Sequence, residues 1–491
     1  MESTRKKNNV SKEKDFIERN SLLTDLFEDK HIRTVYNMFL AIFIGLFFNT
    51  VTYDYIKRGE INLGVRLIKI GFGKIHIVII TWLSYILSSC LVFCCFNIWA
   101  KFRTFRNKQH TKIWDRCYLT LLVLYYVGSF KLAENTVTTF KLPICSAAIV
   151  VVEQVRLLMK IHSFVRTKTP HIINTKRTDD KHTPPTFSNF LYFLFIPTLL
   201  YRDSYPRKDK IDWTFAAFKL LEFVGAIFFL SFVTERYLNP SLQDFGLREY
   251  QLKELILILF ENTITGIFIL MLMFFIVLHS CQNFFGEITK FGDRMFYSDW
   301  WTCTSYGGYF RKWNIVVQDW LYVYIYKEFM ESFGTSAAVA KFGVIVISAL
   351  VHEWCLTHAF GFFFPLLFVE FVVLGSILGN VGGYKNIVFN VIFWYSLAIG
   401  MSSLCTFYTI EYYARNNAPI KNPTFLESRF SVYLRTLRTD RRTSRRERVR
   451  AASDAERGGK CTLRATCTPR RRDKGPGRPG GCPACTGAAT A

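Results

Sequence analysis

Long blocks of apolar residues alternate with short polar segments along this chain. The ranges 75–99 and 386–410 contain no formally charged residue, and a helix of about 20 apolar residues crosses the core of a bilayer. Further apolar runs cover 38–51, 220–233, 255–280 and 342–384. The pattern predicts an all-α, polytopic membrane protein.

Two weaker apolar runs, at 118–130 and 142–152, are shorter than an ordinary span. Tilt, local thinning of the bilayer or burial among other helices would accommodate them. We therefore expect about nine transmembrane helices, within a range of eight to ten. Composition supports a membrane protein, because 17% of the residues are aromatic, 48 are Phe and 20% are charged, whereas soluble domains are about a quarter charged and much poorer in Phe.

Charge divides the chain into three parts. Residues 1–33 are hydrophilic, and their Lys/Arg-rich start predicts a cytosolic N-terminal segment rather than a cleaved signal. Residues 34–425 form the predicted membrane domain. Residues 426–491 form a basic tail rich in Arg, Gly and Pro, which we expect to be disordered.

The net charge of +24 comes in large part from this tail. On a membrane protein, a basic tail contacts anionic lipid more simply than nucleic acid, so we expect membrane lipid as a partner and no nucleic acid. The tail has one CxxC, at Cys482 and Cys485, without a nearby His pair. We therefore predict no metal site, and the 13 cysteines do not suggest a disulfide framework.

One histidine lies deep in an apolar stretch, ISALVHEWCLTHAF at 347–360. Only Glu353 and Glu370 are charged between residues 342 and 384, and polar groups in hydrocarbon are costly unless satisfied or functional. His352 is therefore a candidate catalytic residue; the alternatives are hydrogen bonding between helices and an ion path. Glu353 points elsewhere on a helix and is expected to be a buried partner for other helices. Other histidines expected to be satisfied core or interface residues are His76, His279 and His358.

A second candidate region is rich in aromatic and charged residues: FYSDWWTCTSYGGYFRKWNIVVQDWLYVYIYKEF, at 296–329. If 309–329 is one helix, Asn314, Gln318 and Tyr322 share a face. A polar row on an aromatic helix suits the wall of a wet cavity. The alternative is an interfacial helix whose Trp and Tyr rings lie among lipid headgroups.

Several motifs resemble a known family. FYSDWW resembles the FYxDWWN signature of the membrane-bound O-acyltransferases, and SALVHEW resembles the site of that family's histidine. Other stretches resemble the sterol O-acyltransferases (acyl-CoA:cholesterol acyltransferases), in order between about residues 21 and 427: SLLTDLFEDKHIRTVYNMF, VRLLMKIHSFVR, PTLLYRDSYPR, WNIVVQDWLYVYIYKEF and EYYARNNAPIKNPTF.

The resemblance implies a nine-helix membrane-bound O-acyltransferase fold, multi-pass in the endoplasmic reticulum membrane. It implies transfer of a long-chain acyl group from acyl-CoA, a substrate, to the 3-hydroxyl of a sterol, which forms sterol (cholesteryl) esters for storage. It implies no cofactor. The N-terminal region is short compared with the family's tetramerisation segment, so we expect a homodimer.

The resemblance also assigns roles to individual residues. His352 falls on the catalytic histidine, which takes the proton of the sterol hydroxyl, and Asn314 falls on the second catalytic residue. His31 falls on a position implicated in sterol binding. The positions that fall on the acyl-CoA site are Arg311, Trp313, Gln318, Tyr326 and Ser348.

Four positions depart from the family pattern. Thr302 replaces the last Asn of the signature, Gln318 replaces a His, Trp354 replaces a Tyr, and Thr335 stands where a lysine is expected. None removes the base, although Gln318 cannot relay a proton. Three alternatives stay open: the same chemistry on diacylglycerol or another lipid alcohol, a catalytically impaired sterol-binding relative, and a transporter or channel.

Overall fold

The computed structural model describes residues 14–61, 63–103, 108–174, 185–248, 250–378 and 386–419. Within these ranges the chain is predominantly helical and has no β-strand, only isolated bridges. The all-α prediction is therefore confirmed. The α-helices in chain order are α1 (Leu22–Leu26), α2 (Lys30–Arg58), α3 (Arg66–Gly71), α4 (Ile75–Phe102), α5 (Lys108–Thr139), α6 (Ile144–Asn174), α7 (Phe187–Phe195), α8 (Trp213–Val233), α9 (Leu252–Glu261), α10 (Thr263–Met273), α11 (Gln282–Ile288), α12 (Tyr306–Lys312), α13 (Ile315–Leu321), α14 (Lys327–Glu331), α15 (Ala337–Phe360), α16 (Leu366–Val369), α17 (Gly375–Leu378) and α18 (Ile387–Asn417).

Short π-helical turns continue some of these helices without a break. They are Thr234–Leu238 after α8, Phe274–Cys281 between α10 and α11, Tyr322–Tyr326 between α13 and α14, and Glu370–Leu374 between α16 and α17. Such turns insert an extra residue into a helical turn and occur frequently at functional sites.

Six helices in the described residues are long and apolar enough to cross a membrane: Lys30–Arg58, Ile75–Phe102, Trp213–Ser241, Thr263–Ile288, Ala337–Phe360 and Ile387–Asn417. The multi-pass prediction is confirmed, whereas the expected number of about nine is not reproduced. The weak runs at 118–130 and 142–152 lie within α5 and α6, which have 32 and 31 residues. Their length is ample for a span at 1.5 Å per residue, and their charged residues lower their hydropathy.

Charged side chains of α6 are satisfied inside the protein. The buried Lys160 ammonium donates to the carbonyl oxygen of Ile196 at 2.7 Å, just beyond the end of α7. Glu153 pairs with Arg156 and accepts a hydrogen bond from the indole of Trp82 on α4. These bonds explain how a helix with several charged residues packs against its apolar neighbours.

Two of the predicted apolar runs are not single helices. The run at 255–280 breaks at the buried Asn262, whose amide donates to the Thr406 hydroxyl of α18 at 3.3 Å. The run at 342–384 turns after α15, where Gly361 adopts a left-handed conformation with φ 79°. Glycine is favoured at this position because it has no Cβ to clash.

Helix α18 packs very closely on α10. A Cβ added at Gly266 of α10 would lie 2.7 Å from the backbone nitrogen of Ser402. Small residues permit such close helix approach in membranes. This contact fixes α18, which carries several anchors of the candidate site.

Part of the hydrophilic N-terminal segment is docked on the domain. Arg19 forms a two-bond ion pair with Asp293, at 2.7 and 3.1 Å, and Lys14 pairs with Asp319 of α13. Helix α2 begins at Lys30, shortly before the predicted boundary at residue 34. The predicted tail at 426–491 lies outside the described residues.

Candidate active site

His352 lies in the second half of α15, and its ring nitrogens have distinct roles. Nδ1 lies 2.8 Å from the carbonyl oxygen of Ser348, one turn earlier. Because a carbonyl oxygen only accepts hydrogen bonds, Nδ1 must carry the proton that is donated to it. In the neutral ring, Nε2 is therefore the acceptor, the form required of a general base.

The His352 imidazole is accessible, and it lies on the side of α15 opposite to the exposed residue Leu350. Leu350 has 55% of its surface exposed, and residue 352 lies about 160° around the helix from it at 3.6 residues per turn. The neighbours Ala349 and Glu353 are buried, whereas His352 is exposed. Its ring lies against Phe371, at 5.2 Å between ring centroids and 35° between planes.

Residues 309–329 do not form one helix, so the condition for the shared polar face is not met. Helix α12 ends at Lys312, and Asn314, with φ −138° and ψ 88°, caps the start of α13. Its side-chain oxygen accepts from the Val317 N–H at 3.2 Å. Asparagine is among the preferred N-cap residues, and periodicity alone does not reveal a cap. Gln318 still follows one turn later, since its N–H donates to the Asn314 carbonyl.

This cap leaves the NH₂ group of the Asn314 side chain available. Its oxygen is used at the helix start, while its NH₂ donates to no group in the described part of the chain. A fixed amide with a spare donor can stabilise a negative charge that develops on a nearby oxygen.

The FYSDWW segment holds this region together. The Ser298 N–H donates to the Lys312 carbonyl and the Ile315 N–H donates to the Phe296 carbonyl, both at 2.9 Å. Asp299 pairs with the Lys312 ammonium at 2.9 Å. The motif therefore bridges the end of α12 and the start of α13, on either side of Asn314.

Thr302 replaces the expected Asn and takes part in this bridge. Its hydroxyl lies 2.9 Å from the Asp299 carboxylate and 2.7 Å from the Asp299 carbonyl oxygen. Burial alone would raise the pKa of Asp299, but hydrogen bonds from Lys312, Ser298 and Thr302 outweigh it and lower the pKa to about 2. The substitution therefore keeps a donor to this carboxylate.

Helix α18 anchors the same segment from the other side. The Asn390 amide donates to the carbonyl oxygens of Trp301 and Cys303, at 3.1 and 2.7 Å. Trp300 is fully buried, and its ring contacts Trp313 at 4.7 Å and Trp394 at 5.4 Å. Trp313, predicted to line the tunnel, thus packs in an aromatic cluster beside Asn314.

Arg311 differs from its neighbour Lys312. Lys312 is paired with Asp299, whereas Arg311 is exposed and has no ion-pair partner among the residues described. An unpaired guanidinium beside Asn314 can bind an anionic group such as a phosphate.

The remaining predicted site residues are Tyr326, Ser348, Gln318 and His31. Tyr326 stacks on Tyr322 at 5.4 Å, in the π-helical turn that packs beside α15. Ser348 and Gln318 are half-buried. His31 is exposed at the start of α2, where its N–H donates to the capping Asp29 at 2.7 Å, and its described contacts do not reach the other candidates. The assigned roles of all these residues stay predictions.

Other polar groups in the helices have structural partners. Glu353 is buried and shares a 3.1 Å hydrogen bond with the Tyr408 hydroxyl of α18, so its predicted role as a partner for other helices is confirmed. His279 is fully buried between Lys219 and Tyr297, at 2.9 and 2.6 Å, which confirms it as a satisfied core residue. His358 is buried on the ring of Trp354.

Phe371 is a residue of this region that sequence reasoning missed. Its ring contacts both His352, at 5.2 Å, and Phe310, at 5.4 Å. Phe310 immediately precedes Arg311 in α12. Nothing in the sequence distinguishes this Phe from the other 47, because its position depends on the π-helical turn that carries it.

Comparison with known proteins agrees with this architecture. The profile of the membrane-bound O-acyltransferase family matches residues 67–410. Sterol O-acyltransferase 1 of Mus musculus is 38% identical over 418 residues, 84% of this chain and 77% of the relative. Sterol O-acyltransferase 2 of Homo sapiens is 35% identical over 420 residues, 85% of this chain and 79% of the relative. The chain therefore belongs to the membrane-bound O-acyltransferase family.

Proposed function

We propose that this protein transfers a long-chain fatty acyl group from acyl-CoA to the 3-hydroxyl of a sterol, forming a sterol ester. The observation that carries the proposal is the hydrogen bond from His352 Nδ1 to the Ser348 carbonyl, which leaves Nε2 as an acceptor on an accessible face. The names of the relatives, sterol O-acyltransferase 1 and 2, support the choice of acceptor.

In the proposed reaction, Nε2 of His352 takes the hydroxyl proton as the sterol oxygen attacks the thioester carbonyl carbon. The carbon–sulfur bond then breaks, and the imidazolium returns the proton to the departing thiolate to give free CoA. The NH₂ of Asn314 donates to the carbonyl oxygen as negative charge builds there. The thioester is already activated, so the scheme requires neither a cofactor nor an acyl-enzyme.

Substrate binding is assigned to the groups around this centre. The Arg311 guanidinium binds a phosphate of CoA, since it is exposed and unpaired among the described residues. Trp313, Gln318, Tyr326 and Ser348 line the acyl-CoA path, and His31 contacts the sterol. We also propose the endoplasmic reticulum membrane as the location and a homodimer as the assembly, both from the resemblance.

Acceptor competition tests the proposal. Membranes containing the protein receive labelled long-chain acyl-CoA together with cholesterol and diacylglycerol, and the labelled products are separated. We expect labelled sterol ester from the wild type and none above background from His352→Ala. The control is His76→Ala, which removes an exposed histidine on α4. Triacylglycerol as the sole product would contradict the sterol assignment.

A further inference from the structure

We infer that Phe371 is a positioning residue that fixes the orientation of the His352 imidazole and ties it to α12. The inference rests on the proposed function, in which this imidazole is the base. Phe371 supplies no acid, base or hydrogen-bonding group to the reaction, so its role is indirect, through the two rings that it contacts.

The His352 ring needs a second restraint to hold its orientation. Its ring is held by one hydrogen bond, from Nδ1 to the Ser348 carbonyl. A single bond leaves the ring plane free to tilt, and tilting moves Nε2 away from a bound hydroxyl. Phe371 lies against the ring at 5.2 Å with a 35° interplanar angle, a contact that limits this movement.

The same phenyl ring also contacts α12, the helix that carries Arg311. Phe371 contacts Phe310 at 5.4 Å with a 39° interplanar angle. Phe310 precedes Arg311, and α12 leads directly to Asn314. The row His352–Phe371–Phe310 therefore links the base on α15 with the helix that carries the proposed substrate-binding groups.

A π-helical turn places Phe371 in this position. It lies in the π-helical turn Glu370–Leu374, and the extra residue of such a turn changes the direction of the side chains it carries. Glu370 accepts a hydrogen bond from the Ser403 hydroxyl of α18. The turn is thus anchored to the helix whose Asn390 also binds the FYSDWW segment.

The experiment compares Phe371→Ala, Phe371→Tyr and a matched control in the full-length protein in membranes. The control is Phe342→Ala, which truncates a phenyl ring on α15 that is 50% exposed. Acyl transfer gives kcat and the KM for acyl-CoA, and a non-hydrolysable thioether analogue of acyl-CoA counts the intact binding sites.

For Phe371→Ala we expect kcat per intact site to fall by about ten- to a hundredfold, because misplacement of a reacting group by about 1 Å has that effect. The KM for acyl-CoA should stay unchanged. Phe371→Tyr keeps the ring and should restore kcat, and Phe342→Ala should behave as the wild type.

The inference is overturned if Phe371→Ala keeps the wild-type kcat per intact site, or if Phe371→Tyr is as impaired as Phe371→Ala. It is also overturned if the whole loss is a loss of analogue-binding sites, which indicates a structural role alone. His352→Ala in the same series separates the two proposals. If it retains activity the proposed mechanism fails, whereas an inactive His352→Ala beside a fully active Phe371→Ala refutes the positioning role only.

Discussion

Replacement of Asn314 by serine separates the two roles that the structure gives to this side chain. The Asn314 oxygen caps α13 through the Val317 N–H at 3.2 Å, and its NH₂ is left to donate to the substrate carbonyl. A serine hydroxyl is an equally good N-cap. Asn314→Ser therefore keeps the cap and replaces the amide NH₂ with a hydroxyl whose donor lies one bond closer to the backbone and so falls short of the substrate carbonyl, whereas Asn314→Ala removes both the cap and the donor.

The two losses differ in size. An N-cap replaced by alanine costs about 1 kcal/mol of stability, which shifts the Tm of a chain of this size by about 2 °C or less. Loss of a donor to a developing oxyanion costs about 2.7–4 kcal/mol of transition-state stabilisation, which is a fall of about 10²–10³ in kcat. Asn314→Ser should thus lose almost as much kcat as Asn314→Ala while keeping the wild-type Tm.

The assay measures steady-state acyl transfer to cholesterol and thermal unfolding on the same detergent-solubilised preparations. The control is Ser336→Ala, which removes the N-cap of α15. It should lower Tm by a similar amount to Asn314→Ala and leave kcat intact. A wild-type kcat for Asn314→Ser would refute the donor role, and a low Tm for that variant would refute the assignment of the cap.

Three further predictions concern binding, packing and pH. Arg311→Ala should raise the KM for acyl-CoA by about tenfold or more, with little change in kcat, because a hydrogen bond to a charged group contributes that much to binding. An unchanged KM would exclude phosphate binding by Arg311. Gly266→Val should lower Tm and activity together, because its Cβ would lie 2.7 Å from the α18 backbone and overpacking costs about 1–3 kcal/mol. The control Gly400→Val, whose Cβ would meet no atom within 4 Å, should change neither Tm nor activity. The depressed pKa of Asp299, about 2 against an ordinary 3.8, means that its ionised form stabilises the fold above about pH 4 and that this contribution is lost as pH falls through 2. Asp299→Asn should therefore lower Tm at pH 7, and the difference from wild type should shrink on acidification. A Tm difference that stays constant or grows as pH falls would contradict the stabilising role of the ionised Asp299.

The membrane helices could largely be predicted from the sequence, because bilayer thickness sets the length of an apolar run. Helices α5 and α6 were underestimated, since their charges interrupt the apolar pattern. Lys160 illustrates the reason, as its ammonium is satisfied by backbone carbonyl groups near the end of α7 and so can be buried. Such partners are distant in sequence and cannot be read from hydropathy.

The candidate site was predictable only where one residue type was unusual for its surroundings. His352 is distinctive in an apolar stretch, and the structure gives it a defined tautomer. The break at Asn314 was missed because an N-cap interrupts a helix without changing its periodicity. Phe371 was missed because a phenylalanine in an apolar run carries no signal until a π-helical turn is known.

The most direct test of the central claim is the single-turnover rate of acyl transfer by His352→Ala, with the enzyme saturated by acyl-CoA and sterol. Saturation removes differences in binding, so the rate reports the chemical step. We expect the rate to fall by about 10²–10⁴, which is the contribution of general-base catalysis. A variant that turns over at the wild-type rate would contradict the claim that Nε2 of His352 takes the proton of the acceptor.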